Sequence, residues 1–264
     1  MLRTVSASLD LRLSGPTDLI FLVAAAETGD SFEDSFSVRL DGEVLPVRQF
    51  PARHGSRVHR VEANRGEMRV EYRARVEGRG APDEPSELEL VEYLRPSRYA
   101  EADVLGGIAR REFGRARGFD ALTAVEAWVN GHLSYEYGST VATGGAAQVI
   151  DSGRGVCRDF AHTCAGLLRA LDIPARVSAV YAPGLEPKDF HAVTEAWVGG
   201  AWHVIDATRL APRGSMLRIS SGRDTADTAF LSSYLTDLSL TGMSVDAECD
   251  TAVEDDHVSP VRLG

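Results

Sequence analysis

The chain has 264 residues, 44% of them hydrophobic and 25% charged, which is the make-up of an ordinary globular protein with enough length to bury one large core or two modest ones. A formal net charge of −11 repels phosphate backbones, so nucleic acid is not an expected partner. No segment approaches the apolar length that crosses a bilayer, and three cysteines without a CxxC pair argue against a disulfide scaffold and a structural zinc.

Residues 1–14 alternate apolar and polar, which speaks against a secretory leader and makes the cytoplasm the default location. Val5, Ala7, Leu9, Leu11 and Leu13 carry that alternation and predict a half-buried strand. Leu19 to Ala26 is a continuous apolar run that suits a central strand. Phe36, Val38 and Leu40 alternate again, and Asp41-Gly42 marks a turn leading to Val44, Leu45 and Val47. Met68, Val70, Tyr72, Ala74 and Val76 give another alternation. Short strands separated by turn residues predict a small antiparallel sandwich or barrel. Residues 78–85, rich in Gly and Pro, read as a loop. Leu88 to Leu94 reads as a last strand, and the first domain is placed at 1–95.

The remainder, 96–247, changes character. Val104 to Phe113 and Ala121 to Leu133 have helical spacing, with Trp128 on the apolar face of the second. Residues 151–155 form a loop. Phe160, Cys164, Leu167, Leu168 and Leu171 recur at three and four, predicting a helix from Cys157 to Leu171 that Asp172-Ile173-Pro174 ends. Arg176 to Tyr181, His191 to Val198 and Ala201 to Thr208 read as strands. The acidic residues 248–264 read as a loose tail.

Cys157 follows Gly153-Arg154-Gly155-Val156 and opens its helix. Glycines there allow a tight loop, and the first helical turn offers unpaired N–H groups and partial positive charge. A thiol so placed has its thiolate stabilised, and the same amides can hold an oxyanion. The competing reading is that Cys157 continues the apolar stripe as a core residue. Cys164, two turns further along that stripe, reads as core, and Cys249, near the end, as incidental.

His191 to Val198 runs into Gly199-Gly200 and returns as Ala201 to Thr208, a strong hairpin signal. Setting the register on that turn pairs Val198 with Ala201, Val193 with Asp206 and His191 with Thr208. His191 and Asp206 become diagonal neighbours on one face, roughly 7–8 Å apart at the backbone and within side-chain reach. A carboxylate on the far imidazole nitrogen is what a catalytic base requires. Glu195 lies too far along the strand to orient His191, and His203 points to the other face. Trp197 and Trp202 pack the core or a pocket wall.

The runs GVCRDFAH (Gly155 to His162), LDIPARV (Leu171 to Val177), HAVTEAWV (His191 to Val198) and WHVIDAT (Trp202 to Thr208) together resemble the bacterial transglutaminase-like superfamily over about residues 93 to 235. The resemblance implies an α+β fold. A β-sandwich-like amino-terminal domain precedes a papain-like core, in which the nucleophile helix packs on an antiparallel sheet. It also places Cys157, His191 and Asp206 at the positions of nucleophile, base and orienter. Two departures stand out: Val193 follows His191-Ala192 where many members have Trp, and Ala100 stands where relatives often carry Cys. Asp159 is read as capping the helix start, Arg158 as pairing with it or a neighbour, and His162 as making a structural hydrogen bond. Tyr135, Tyr137 and Trp197 are candidate substrate-binding residues. The implied activity is acyl transfer on protein or peptide amides through a thioester, with hydrolysis favoured over transamidation. No metal or organic cofactor is needed, and no calcium loop is visible. The alternative is a binding or assembly protein that keeps the fold without turnover.

Overall fold

A computed structural model describes residues 1–27, 31–80 and 84–263. The amino-terminal part contains β1 (Leu2–Leu13), β2 (Thr17–Phe21), β3 (Ser31–Leu40), β4 (Glu43–Val44), β5 (Arg48–Pro51), β6 (Arg57–Ala63) and β7 (Gly66–Glu77). Next come α1 (Glu87–Glu92), α2 (Ala102–Phe113), α3 (Gly118–His132), β8 (Ser134–Tyr135), α4 (Ala146–Ser152), β9 (Arg154–Gly155) and α5 (Cys157–Ala170). The chain ends with β10 (Ala175–Tyr181), β11 (Phe190–Val198), β12 (Ala201–Ile205), β13 (Leu217–Gly222), α6 (Thr225–Thr228), β14 (Leu231–Tyr234) and β15 (Leu238–Cys249).

The alternation seen in β1 and β7 buries one face of each strand, and β1 pairs antiparallel with β7 along its whole length. Two antiparallel sheets result, β15-β1-β7-β3-β4 and β14-β2-β6-β5. Leu9, Leu11, Met68 and Val70 of the first share one apolar cluster with Leu19, Phe21 and Val61 of the second, so the sheets close as the expected sandwich. Each large aliphatic side chain buried there stabilises the fold by about 1.5–3 kcal/mol. The Asp41-Gly42 turn has positive φ at both positions, 50° and 88°, as a tight hairpin between β3 and β4 requires.

In the second part a four-stranded antiparallel sheet, β12-β11-β10-β13, packs against α5. Val125 and Val129 of α3, Leu167 and Leu168 of α5, Val177 of β10 and Ala196 of β11 form its core. Tyr181, Leu217 and Ile219 of this sheet join the sandwich's apolar cluster instead, and the Tyr181 hydroxyl donates to the Val23 carbonyl at 2.7 Å. Among the described residues no helix is long and apolar enough to cross a membrane.

Several elements differ from their sequence reading. The strand expected over 19–26 ends at Phe21. Residues 23–26 are buried without a ladder, and their hydrogen bonds go elsewhere: Tyr72 accepts from the Ala25 amide, Arg57 donates to the Ala25 carbonyl, and the Ala26 amide donates to the Arg218 carbonyl. The strand expected over 88–94 is the helix α1. Ser86 and Glu89 form a reciprocal capping box, a signal that outweighs the local alternation. Of the loop expected at 78–85, residues 81–83 lie outside the described residues.

Residues 231–247 were expected in the core, yet β14 pairs with β2 and β15 with β1. The last strand therefore completes the first sheet. The loose tail expected over 248–264 is also corrected. Cys249 is still paired with Arg3, the Val204 amide donates to the Val261 carbonyl at 2.8 Å, and Asp255 takes a two-pronged ion pair from the buried Arg213.

Candidate active site

Cys157 is the first residue of α5 and is half-buried. Its approach is built by Gly153, which ends α4 with φ 68°, and by Gly155, where a Cβ would meet the Asp159 Cβ at 2.6 Å. Asp159 caps the helix by accepting from the Val156 amide at 2.9 Å, as read from sequence, and it also accepts from the Thr140 hydroxyl. Among the described residues Arg158 makes no ion pair, with Asp159 or any other carboxylate. Its guanidinium donates to the carbonyls of Ala142 and Gly144 and lies over the Tyr99 ring, pinning the preceding loop to the helix start. The Cys157 and Arg158 amides precede the first bond of α5, which the Asp159 amide makes to the Val156 carbonyl at 2.8 Å, and they lie at the positive end of the helix.

The hairpin carries the other two groups in the register set by its turn. Gly199 and Gly200 have φ 60° and 78°, and Val198 faces Ala201. His191 Nε2 hydrogen-bonds Asp206 Oδ2 at 2.8 Å, with both side chains 1% exposed. Nδ1 of His191 is buried and has no hydrogen-bond partner among the described residues, which leaves it for the thiol. Burial disfavours the imidazolium. The Asp206 carboxylate, by charge and hydrogen bond, and then Cys157 outweigh that and raise His191 to about 10. Burial likewise opposes the Asp206 carboxylate, but His191 and Thr208 hold its pKa below the ordinary value.

Sequence reasoning missed the residues that hold this pair. The Thr208 hydroxyl and amide both donate to Asp206 Oδ1, at 2.7 and 3.0 Å, fixing the carboxylate's second oxygen. The Asp-x-Thr spacing is a known local turn pattern and was the available signal. Thr194, fully buried on β11, donates to the Ala161 carbonyl of α5 at 2.8 Å. That bond ties the strand of His191 to the helix of Cys157. Asn130 of α3 donates to the Ala207 carbonyl, steadying the chain after Asp206.

The remaining candidates divide. Tyr135 stands by the thiol. Burial pushes its hydroxyl well up, the Cys157 and Tyr137 charges add to that, and the Cys157 backbone amide opposes it. Tyr137 packs edge-on against Tyr135 and is exposed. Trp197 is not brought to this place. It packs against Trp202, six residues along β11 from His191, a span of about 20 Å. Glu195 is taken up in a buried ionic cluster with Arg176 and Arg218. His162 is buried and accepts from the Thr225 amide, and burial, then Arg158 and Arg169, keep it neutral. Cys164 is a core thiol, pushed well above its ordinary value by burial and then by Glu126 and Asp206. Among the described residues no group of three or more His, Cys, Asp or Glu side chains is arranged to hold a metal ion.

A thiol at a helix start, with a buried imidazole–carboxylate pair on the adjoining antiparallel sheet, defines a papain-like fold of the cysteine-dependent class. The profile of the transglutaminase-like superfamily matches residues 109–207. A solved structure from Cytophaga hutchinsonii, described as a proposed cysteine protease, is 31% identical with a TM-score of 0.86, covering 100% of this chain and 94% of that one. The chain belongs to the transglutaminase-like superfamily. An uncharacterised protein of Mycobacterium leprae is 27% identical over 169 residues, 60% of each chain, so the match spans less than two thirds of that relative. The periplasmic domain of TgpA from Pseudomonas aeruginosa is a remote likeness, 20% identical with a TM-score of 0.45 over 76% of this chain and 87% of that one.

Proposed function

We propose that the protein is a cysteine-dependent acyl-transfer enzyme acting on protein or peptide amides, with Cys157 as nucleophile, His191 as base and Asp206 as orienter. The observation that carries this reading is the buried 2.8 Å His191–Asp206 hydrogen bond, with the second ring nitrogen committed to no other side chain among the described residues and Cys157 acting on the same imidazole. His191 takes the thiol proton, and the sulfur attacks the amide carbonyl carbon. First-turn amides of α5 then carry the oxyanion. As the C–N bond breaks, the imidazolium returns its proton to the departing amine, leaving a thioester. His191 next takes a proton from water as its oxygen attacks, and collapse releases the acid and restores the thiol. Water is the default acceptor because no amine site adjoins these residues in the sequence reading. The cysteine-protease description of the Cytophaga structure supports the same preference.

The test is iodoacetamide labelling at pH 6 to 7 with peptide mapping, on the wild type and on His191→Ala. Fast modification confined to Cys157 and lost in the variant is the expected result. Slow labelling in both, or a preference for Cys164 or Cys249, sinks the triad and moves the non-catalytic binding reading to first place.

A further inference from the structure

Glu126 of α3 is a buried carboxyl group that the proposed chemistry does not use. Its side chain is 3% exposed, and Oε1 accepts no hydrogen bond among the described residues. A buried carboxylate is ordinarily hydrogen-bonded or closely paired. Here three basic side chains ring it just outside hydrogen-bond reach: Arg209 Nε at 3.6 Å, Arg213 Nη1 at 3.8 Å and His257 Nδ1 at 3.8 Å. The other charged or titratable groups that act on it are Asp206, Asp255 and, from α5, Cys164.

What surrounds Glu126 is the segment that presents Asp206. Asn130, one turn along α3 from Glu126, donates to the Ala207 carbonyl at 2.8 Å. The Arg209 amide donates to the Asp206 carbonyl at 3.1 Å, closing the turn in which Thr208 holds the carboxylate. Arg209 sits there with a left-handed φ of 56°, a backbone state that a non-glycine residue keeps only where its surroundings hold it. Arg213 donates to the Val204 carbonyl, on the strand that leads into Asp206. One face of α3 therefore reaches the Asp206 segment through a fixed amide, Asn130, and through an ionisable group, Glu126. Burial pushes the Glu126 carboxyl up to about 7 against the pull of Arg213 and Arg209, with Asp206 and Asp255 adding to the rise, so its charge changes near neutral pH.

We propose that Glu126 is a positioning residue for Asp206: its negative charge draws in Arg209 and Arg213 and tightens the turn that presents the Asp206 carboxylate to His191, and protonation slackens that turn. Asn130 holds the same segment at every pH, so the loss of the Glu126 charge loosens the pair without dismantling it. The consequence for turnover rests on the acyl-transfer reading of Cys157, whereas the effect on the His191–Asp206 pair does not.

Nuclear magnetic resonance of the full chain labelled with ¹⁵N-histidine, from about pH 5.5 to 8.5, tests it. The Nε2 proton of His191, identified by its absence in His191→Gln, is bonded to Asp206 and reports that carboxylate directly. In the wild type it is expected to move downfield in one step with a midpoint at about 7, as the pair tightens and a second negative charge strengthens Asp206 as acceptor. The step should vanish in Glu126→Gln, which keeps the shape of the protonated acid, and should shrink in Arg209→Gln at a half-exposed position. A flat resonance in the wild type, a step that persists in Glu126→Gln, or one that disappears in His257→Gln but not in Glu126→Gln overturns the proposal. Should Glu126→Gln fail to fold by near-ultraviolet circular dichroism, a step that Arg209→Gln leaves unchanged overturns it equally. Iodoacetamide reads the thiol separately. Fast Cys157 labelling without the step removes the role of Glu126 and keeps the acyl-transfer reading, and the step with slow labelling does the reverse.

Discussion

At the scale of single residues, the decisive feature is how fully Asp206 is committed: one oxygen to His191 Nε2, the other to the hydroxyl and amide of Thr208. Asp206→Asn keeps the shape but presents an amide that stabilises the wrong imidazole tautomer. Turnover is expected to fall by roughly 10³–10⁴-fold with folding retained, measured as amide hydrolysis beside an unchanged circular dichroism spectrum. The same pair makes stability depend on pH. His191 is raised from 6.5 to about 10: burial opposes the charge, while Asp206 and then Cys157 prevail. The proton it holds therefore stabilises the fold in full below pH 6.5, and that contribution fades as pH climbs toward 10. Asp206 lies below its ordinary 3.8, so its contribution is present above that pH and is lost in acid. The difference in Tm between wild type and His191→Gln should be largest between about pH 4 and 6.5 and shrink by pH 10. A flat difference across that range would remove the charged pair from the folded state.

At the scale of elements, the site depends on how one short turn delivers α5. Gly155 leaves room for the Asp159 side chain that caps the helix, and an added Cβ would sit 2.6 Å from the Asp159 Cβ, an atom with no freedom to swing away. Gly155→Ala is expected to cost about 1–3 kcal/mol in denaturant unfolding and to slow Cys157 alkylation, because relief of the clash withdraws the cap. This much was legible beforehand. A Gly-flanked thiol at a helix start and a Gly-Gly hairpin carry local signatures, and a two-residue turn fixes which residues face each other. What escaped notice was carried by residues without a period. The Ser86–Glu89 capping box turned an expected strand into α1, and the buried Thr194 contact with Ala161 joins elements 33 residues apart, where no local pattern reaches. Trp197 shows how far a shared strand can reach. It shares a strand with His191, but the length of that strand carries it to Trp202 and away from the thiol.

At the scale of the whole molecule, the chain does not divide as sequence order suggests. β15 returns to pair with β1 over the length of the first strand, and the carboxyl-terminal segment then crosses to the β11–β12 hairpin. Such long-range closure leaves no trace in local alternation, and the acidic composition of 248–264 reads as solvated because the matching cation, Arg213, lies far away in sequence. Arg213 is 3% exposed. It donates to the Val204 carbonyl on the strand that leads into Asp206, while Asp255 takes its Nε and Nη2. Asp255→Asn leaves that guanidinium with weaker neighbours, Glu126 and Asp256, each 3.8 Å away. A loss of about 2 kcal/mol is expected, less than for a fully orphaned buried charge because those carboxylates remain. The loss should be local before it is global. Hydrogen exchange should speed up across residues 250–263 and at the Val204 amide, which donates to Val261, while the β1–β15 ladder stays protected. Catalysis should weaken with the hairpin, since the chain just before Asp206 loses its brace while Thr208 still holds the carboxylate. Unchanged exchange at Val204 in Asp255→Asn would show that the terminal segment rests on the sheet by its apolar contacts, Val261 and Leu263, rather than by this ion pair.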